Sequence, residues 1–575
     1  MKKRFHQVIS TVAIASTLIV GASPIMAYAD ASFTAAEAPS YAITDITNAQ
    51  VKSVLQEKTP DGWRIGSVIR LSNTSGAIVR IPDFELRAKA ADGTVYTLQP
   101  STTNARSISP QSSVELSYMA ELDAKQEIAL TDLLWVDVDM TVYPKVEKTL
   151  ADAPIGSLVW KGSDAVVPDA AMLKWGDSFS LPMENSALKY AAAGLTTQFA
   201  GQSPVYVVQL TVENPGSYTE TVPDFAIGAK TDGQTYVGKR TETASMTLNP
   251  GEKKYINFAV TTEPGQQLKA FYVMTPATYM KTGQTAPLTY YTGSIGFQLP
   301  AADNAAVSLP PYELGQQIAI DPVSQAVSPQ LAASLVSIEW FENEGQSYKT
   351  VIAKLKFTNQ SDSPLPLPEL AADLVNGSGI SYSGTRTASA VKEVLPGLGA
   401  LATYAITVPS SESTSSYTFR LLEQQGTSGY KSPIAQLPVT VQQTTPGTVD
   451  LALYPYALKL KSWALSNVIS QNPATLKYNY TYKLNADVDI QTNDQVVADA
   501  ANPKLFIQLE NAAGLRLAYK SFALSGDNRL MSGSQTIYFD NVTSDSLESP
   551  LTLKIYETQS TPLGDARRLL AELKQ

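Results

Sequence analysis

A few residues in this chain have the types and spacing to do chemistry. Asp137 and Asp139, in WVDVDMTVY, alternate along one segment. On a strand both carboxylates would share a face, as paired acids in a glycoside hydrolase or a metal site must. Asp487, Asp489, Asn493 and Asp494 supply oxygen ligands of the kind Ca²⁺ takes, but their spacing matches no EF-hand loop. Trp63 follows Asp61-Gly62 at an expected hairpin tip, where an indole can stack on a sugar ring. Tyr290 and Tyr291, if on a strand, point to opposite faces, so one ring should reach solvent. Pro-Asp-Phe is written twice, at Pro82–Phe84 and Pro223–Phe225. Each also has a plain reading: solvated acids, aromatic core and repeated strand grammar.

The absent residue types narrow the chemistry further. There is no Cys, and the single His is His6, close to the N-terminus. Beyond it, no Ser-His-Asp triad, Cys-His pair, His-ligated zinc site or disulfide can be built. Paired carboxylates are the main catalytic option left. The Asp of Pro-Asp-Phe is replaced by Glu369 and Lys504 at the corresponding later positions, which argues against a shared catalytic role. The expectation is therefore no catalytic residue, no cofactor-binding residue, no metal ligand and no enzyme.

Lys2, Lys3 and Arg4 precede an uncharged stretch from Val8 to Ala22, and Ala27-Tyr28-Ala29 offers a cleavage site. Residues 1–29 thus read as a signal peptide, with a mature protein from Asp30 that is secreted and extracellular, with retention at the cell surface an open alternative. No later run reaches the ~20 apolar residues of a membrane span, so no membrane insertion is expected after cleavage. Leu437-Pro438-Val439-Thr440 has Val441 where a wall-sorting signal needs Gly, which argues against covalent wall attachment. The chain carries a net charge of −10, and removing the three basic residues of the signal leaves −13. That balance excludes the cationic footprint of nucleic-acid binding.

Any functional side chain must be positioned by the elements, and these repeat. Pro82, Pro223, Pro368 and Pro503 mark corresponding places. Each is followed two residues on by an apolar side chain: Phe84, Phe225, Leu370 and Leu505. Then comes a turn glycine: Asp92-Gly93, Asp232-Gly233, Asn376-Gly377 and Ala513-Gly514. In the first three copies an Asn (Asn73, Asn214, Asn359) lies nine residues before the proline, at the end of a strand with period-two apolar alternation. Pro110, Pro250 and Pro396 each precede Tyr118, Phe258 or Tyr404 by eight residues. The fourth copy departs: its alternation from Leu476 to Leu484 is out of phase with Asn485, and ADVDIQTNDQVVADAAN reads as an insertion.

The expected fold is all-β: four tandem immunoglobulin-like β-sandwich domains after the N-terminal signal peptide. The domains are placed at 38–162, 166–302, 306–443 and 447–575, the last diverged and ending in DARRLLAELKQ as a short helix. LADAPIGSLVW, GSIGFQLPAADNAAVSLPPYELG and PVTVQQTTPGTVD read as linkers or edge segments. Short and Pro-containing, they suggest a semi-rigid string of beads.

VENPGSYTETVPDFAIGAKTDGQTY, followed by LNPGEKKYINFAV, resembles the telokin-like, immunoglobulin-like secreted domains of Gram-positive bacteria. The likeness covers the core of the first three copies and is weak in the fourth. It implies an extracellular β-sandwich, often of unknown role, with no catalytic residues to carry over. The functional expectation is a structural, adhesion or protein-binding module whose partner is a protein or another cell-envelope component. The alternatives are an accessory carbohydrate-binding protein with polysaccharide as partner and, behind it, a carboxylate-dependent glycoside hydrolase.

Overall fold

The computed structural model describes residues 38–182, 186–200, 202–300, 310–424, 429–471, 473, 478–497, 499, 503–543 and 547–575. The expected signal peptide lies outside them. The described chain is strands, turns and two short 3₁₀ segments, Gly162–Asp164 and Asp169–Ala171.

One wiring of six strands occurs in four successive units, with the fourth strand varying between them. In unit one the seven strands are Thr47–Thr59, Gly62–Asn73, Glu85–Ala90, Val95–Pro100, Ser113–Leu122, Leu130–Asp139 and Val146–Pro154. The first, second and fifth pair as one antiparallel sheet, and the third, sixth and seventh as another. The fourth strand pairs with the third and then with the fifth, so it crosses between them. Three strands on each layer with the fourth crossing between them make an immunoglobulin-like sandwich layout. Unit two repeats it with Lys189–Ala200, Ser203–Glu213, Ala226–Thr231, Thr235–Val237, Lys253–Thr261, Leu268–Tyr279 and Leu288–Gln298. Here the crossing strand is broken at Gly238, where a Cβ would lie 2.8 Å from the Ile227 carbonyl and 2.9 Å from that of Ala259.

Unit three uses Leu331–Glu342, Tyr348–Asn359, Ala371–Asn376, Ser381–Arg386, Gly399–Pro409, Ser416–Gln424 and Lys431–Thr440. Unit four uses Tyr456–Gln471, Tyr478–Thr492, Lys504–Glu510, Arg516–Phe522, Gly533–Thr543, Thr552–Thr561 and Gly564–Lys574. Its fourth strand stays with the third. Each unit encloses its own apolar cluster, built around Trp135, Phe258, Tyr404 and Tyr482 in turn.

Two expectations are corrected in unit four. DARRLLAELKQ is not a helix: it contributes the seventh strand, pairing with Thr552–Thr561 along its length. Ala566, Arg568, Leu570, Ala571 and Leu573 are buried, and a bulge at Leu570, opposite the consecutive pair Ile555 and Tyr556, shifts the alternation midway. The expected insertion also begins inside a strand, because the second strand runs on to Thr492.

The repeated Asn explains itself once its contacts are seen. Asn73, Asn214 and Asn359 are buried. In unit two the Asn214 amide donates to the carbonyls of Tyr218 (2.8 Å) and Leu248 (2.9 Å), and its Oδ1 accepts from Gly216 N–H at 2.9 Å. Asn359 makes the same set with Ser363, Val394 and Ser361, and Asn73 with Ala77, Ile108 and Ser75. One side chain thereby ties the end of the second strand to the loop that follows and to the segment leading into the fifth.

These three prolines sit just past this latch, and the residue before each donates across: Ile81 to Arg106, Val222 to Met246 and Leu367 to Lys392. Of the turn glycines, Gly93 and Gly514 have the expected positive φ, whereas in unit three Gly379 takes that role instead of Gly377. Asn359→Ala should cost about 2–4 kcal/mol, because two buried carbonyls and an N–H lose their partner. Asn359→Asp should cost more, since a carboxylate cannot donate to carbonyls; urea titration of both variants reads the order.

The units are not beads on a linker. LADAPIGSLVW supplies the end of unit one's last strand and then Val159–Trp160, which pairs parallel with its first strand. Trp160 is buried among Leu55, Val68 and Met119 of unit one and Tyr272, Met274 and Tyr290 of unit two. Units two and three meet through polar contacts, Tyr255 to Asp321 at 2.6 Å and Gln198 to the Lys431 carbonyl at 3.0 Å. Units three and four share a sheet, Glu342 pairing with Arg567 at the seam.

Candidate functional site

The strands hold the candidate residues apart. Asp137 and Asp139 lie on one exposed face of the sixth strand of unit one, as the alternation requires. Asp139 accepts from both the backbone N–H (2.8 Å) and the hydroxyl (2.6 Å) of Thr141, a turn cap that holds its carboxyl below the ordinary range. Asp487 and Asp489 project from the outer face of the second strand of unit four, with Lys461 3.8 Å from Asp489. Asn493 caps the following turn through Gln495 N–H. Among the described residues no group of three or more acids, His or Cys is placed to hold a metal. Asp83, Asp224, Glu369 and Lys504, the residues after the repeated prolines, are all exposed.

The aromatics divide differently from the sequence reading. Tyr290 is 6% exposed and Tyr291 half-buried, so neither ring is free: both belong to the junction of units one and two. Trp63 is half-buried against the core of unit one and lines an open groove with Lys58, Asp61, Asp123 and Lys125. Gly62 permits that turn, with φ +138° and the Leu122 carbonyl where a Cβ would stand. Trp63 sits directly across from Lys58 on one side and Leu122 on the other. A half-covered indole ringed by two acids and two ammonium groups can stack on a sugar face and hydrogen-bond its hydroxyls.

A second, polar cleft opens between units two and three, lined by Thr196, Gln198, Asp373, Arg420 and Lys431. Asp373, 4% exposed, accepts from Arg420 Nε at 2.8 Å and from the Ser381 hydroxyl at 2.7 Å. Asp373 and Arg420 thus satisfy one another.

Sequence reasoning missed the most concentrated charge in the molecule, at the seam of units three and four. Glu557, fully buried, accepts from Lys354 Nζ at 2.6 Å and from Arg568. Lys354 also donates to the Tyr454 carbonyl at 2.9 Å. Arg568 reaches Glu339, the Thr444 hydroxyl (2.9 Å) and the Ala452 carbonyl (2.9 Å). Burial alone would raise the Glu557 carboxyl, but Lys354 and Arg568 outweigh it and hold it below the usual range. Glu339 shifts the other way, burial raising it more than Arg568 lowers it. Arg568 bridges the two acids and Lys354 holds Glu557 from the other side, so the junction presents no acid pair to a substrate. The one trace in the sequence is Lys354 itself, a charge inside the apolar run VIAKLKF.

The sheet edges form the remaining surface. The first strand of unit one is flanked by Tyr41–Thr44 and Val159–Trp160. That of unit two is flanked by Ser178–Phe179 at its start and approached by unit three at Gln198. That of unit three carries bridges to Gln317 and Gln442 and meets the last strand of unit four. In unit four, Asp450–Leu453 cover only Tyr456–Lys459, and Leu460 donates to Val449. Among the described residues no strand pairs with Lys461–Ser470 on that side.

Neither a scan against protein-family models nor a search of curated proteins finds a match. Among solved structures, the chain is similar to dimeric latent PorU from Porphyromonas gingivalis at 9% identity, with a TM-score of 0.13, over 76% of this chain and 36% of that one. The chain thus spans little more than a third of that protein's length, and a likeness at this TM-score carries no argument. Among the described residues no helix is long and apolar enough to cross a membrane.

Proposed function

We propose that this chain is an exported, non-enzymatic binding or structural module of the cell surface or extracellular space, related to the telokin-like secreted domains it resembles. The observation that carries the reading is the repeated motif. Its recurring Asn is spent on a buried backbone latch in three units, and the residue after the repeated proline, Asp83, Asp224, Glu369 or Lys504, faces solvent in all four. A sequence feature with that distribution maintains a scaffold. Binding then falls to sheet edges and loop clefts, with a protein or cell-envelope component as partner.

The test is retention of mature protein, Asp30 to Gln575, on isolated cell envelope. Retention that protease treatment of the envelope abolishes supports a protein partner. A lack of retention under any condition overturns envelope binding.

The Trp63 groove favours a second reading, an accessory carbohydrate-binding protein. Under it, Trp63→Ala should weaken retention on polysaccharide by about 1–2 kcal/mol, roughly five- to thirtyfold. Unchanged retention in that variant removes the groove from consideration.

A further inference from the structure

We propose that the open first-strand edge of unit four, Lys461–Ser470, is a self-association site at which a second copy of this chain adds the same strand antiparallel across a two-fold axis. Three observations meet there. The edge has no strand partner among the described residues. It also lacks the usual guards of a free edge, since Ser462–Ser470 contains no charge, no Pro and no Gly. Other free edges of the molecule are guarded: the last strand of unit one carries Glu147, Lys148 and Asp152, and the fourth strand of unit four carries Arg516 and Lys520. Finally, the edge exposes apolar side chains, Val468 at 59% and Ile469 at 51%.

The sequence of the edge selects its occupant. Pairing within unit four sets the faces: Trp463, Leu465 and Ile469 lie across from Ala486, Leu484 and Tyr480 on the core side, and Ala464, Ser466 and Val468 across from Asn485, Lys483 and Thr481 on the outer side. An antiparallel two-fold perpendicular to the sheet keeps core side with core side, so directly opposed residues must share a face. Centred on Ser466, this register sets Trp463 against Ile469 of the second copy and Ala464 against Val468 of the second copy. Leu465 meets Asn467, and Ser462 meets Ser470. Every large apolar side chain exposed on the edge meets an apolar one, the polar side chains meet one another apart from that Leu465–Asn467 contact, and the two Lys461 residues fall at opposite ends of the ladder. Aromatic–β-branched pairs of this kind stabilise a sheet. An acidic or basic peptide would find no counter-charge here; a second copy finds its own complement.

This goes beyond envelope binding and can fail without touching it, since retention is measured independently of oligomeric state. Sedimentation of the mature protein across a concentration series should show a monomer–dimer equilibrium. Ala464→Lys with Val468→Lys places like charges opposite each other twice and should weaken the dimer about tenfold or more. Both positions are exposed in the single copy, so thermal unfolding at a concentration where both proteins are monomeric should stay unchanged. Ala464→Lys with Val468→Glu should restore dimerisation, because each Lys then faces a Glu.

The chain has no Cys, so Ser466→Cys adds a single thiol on the axis. Opposed Cα atoms about 4.5–5.5 Å apart suit a disulfide, and this variant should cross-link faster than Val468→Cys. A monomer at every concentration overturns the proposal. So does a dimer indifferent to the Lys pair, or one in which the two thiols cross-link equally.

Discussion

Glu557→Gln should lower the stability of the joined units three and four by about 3–5 kcal/mol, the largest loss expected from any single charge neutralisation in the chain. The carboxylate is fully buried and accepts from two cations, so its loss strands Lys354 and Arg568 in a medium that solvates them poorly. Glu339→Gln should cost far less, about 1 kcal/mol or under. Burial already raises that carboxyl, its side chain retains 15% exposure, and Arg568 keeps Glu557. Lys354→Met combined with Glu557→Gln should recover at least half of the loss, because it removes the stranded ammonium as well.

The pH dependence follows from the direction of the shift. A carboxyl held below its unfolded value of about 4.5 contributes stability above that value and loses it as the pH falls through the folded one. The gap between wild type and Glu557→Gln should therefore be full at neutral pH and close as the pH drops below about 4.5. Calorimetry of the full chain, following the transition of the C-terminal half, measures all of these. A gap that widens on acidification would show that Glu557 is not the ionised member.

Trp160→Ala should uncouple units one and two, with a cost of about 3–5 kcal/mol in the packing of their junction. The indole is 4% exposed and stands edge-on to Tyr272 at 5.7 Å between ring centroids. Gly293 makes room for it: a Cβ there would come within 2.7 Å of the ring. Gly293→Val should therefore imitate the Trp160 truncation from the other side. Trp160→Phe separates packing from polarity. The indole N–H is buried without an acceptor among the described residues, so replacing it should cost less than 2 kcal/mol. Small-angle scattering reads the uncoupling as a larger radius of gyration in the Ala and Val variants. An unchanged radius in both would mean that the Lys281–Glu121 pair and the Met280 backbone contacts hold the junction without the aromatic cluster.

What could be read from residues alone was set by which face of a strand a residue occupies. The inner faces announce themselves: Val351, Ala353, Leu355 and Phe357 alternate, and all four are buried in unit three's core. The outer faces do not. Ile352 and Lys354 are equally buried, but their cover comes from a unit some two hundred residues further on, and periodicity reports only one face at a time. Val68, at the position in unit one that Lys354 holds in unit three, is covered by unit two in the same way. The Asn latch was visible as a spacing and became intelligible as a set of hydrogen bonds. The last strand was misread because Ala, Arg, Leu, Glu and Lys are good helix formers and a bulge breaks their alternation; pairing with Thr552–Thr561 overrides the propensity. Among the candidate site residues, the sequence located Trp63 at its turn but could not show the acids and lysines that gather beside it.

The seam between units three and four also gives the chain an order of events. Synthesis delivers the N-terminal side first, so unit three can close its own core while Lys354 is still hydrated on its surface. Glu557 and Arg568, the groups that take that lysine into the interior, arrive only with the final two strands, 203 residues after Lys354 in the case of Glu557. A chain cut short of them keeps a folded unit three with a bare lysine beside Phe341, Ile352 and Ala405, an apolar face that should be open to water. Docking of the last strand therefore decides whether that face is covered, and limited proteolysis should cut a chain truncated before Glu557 faster than one that retains Ala566 and Arg568.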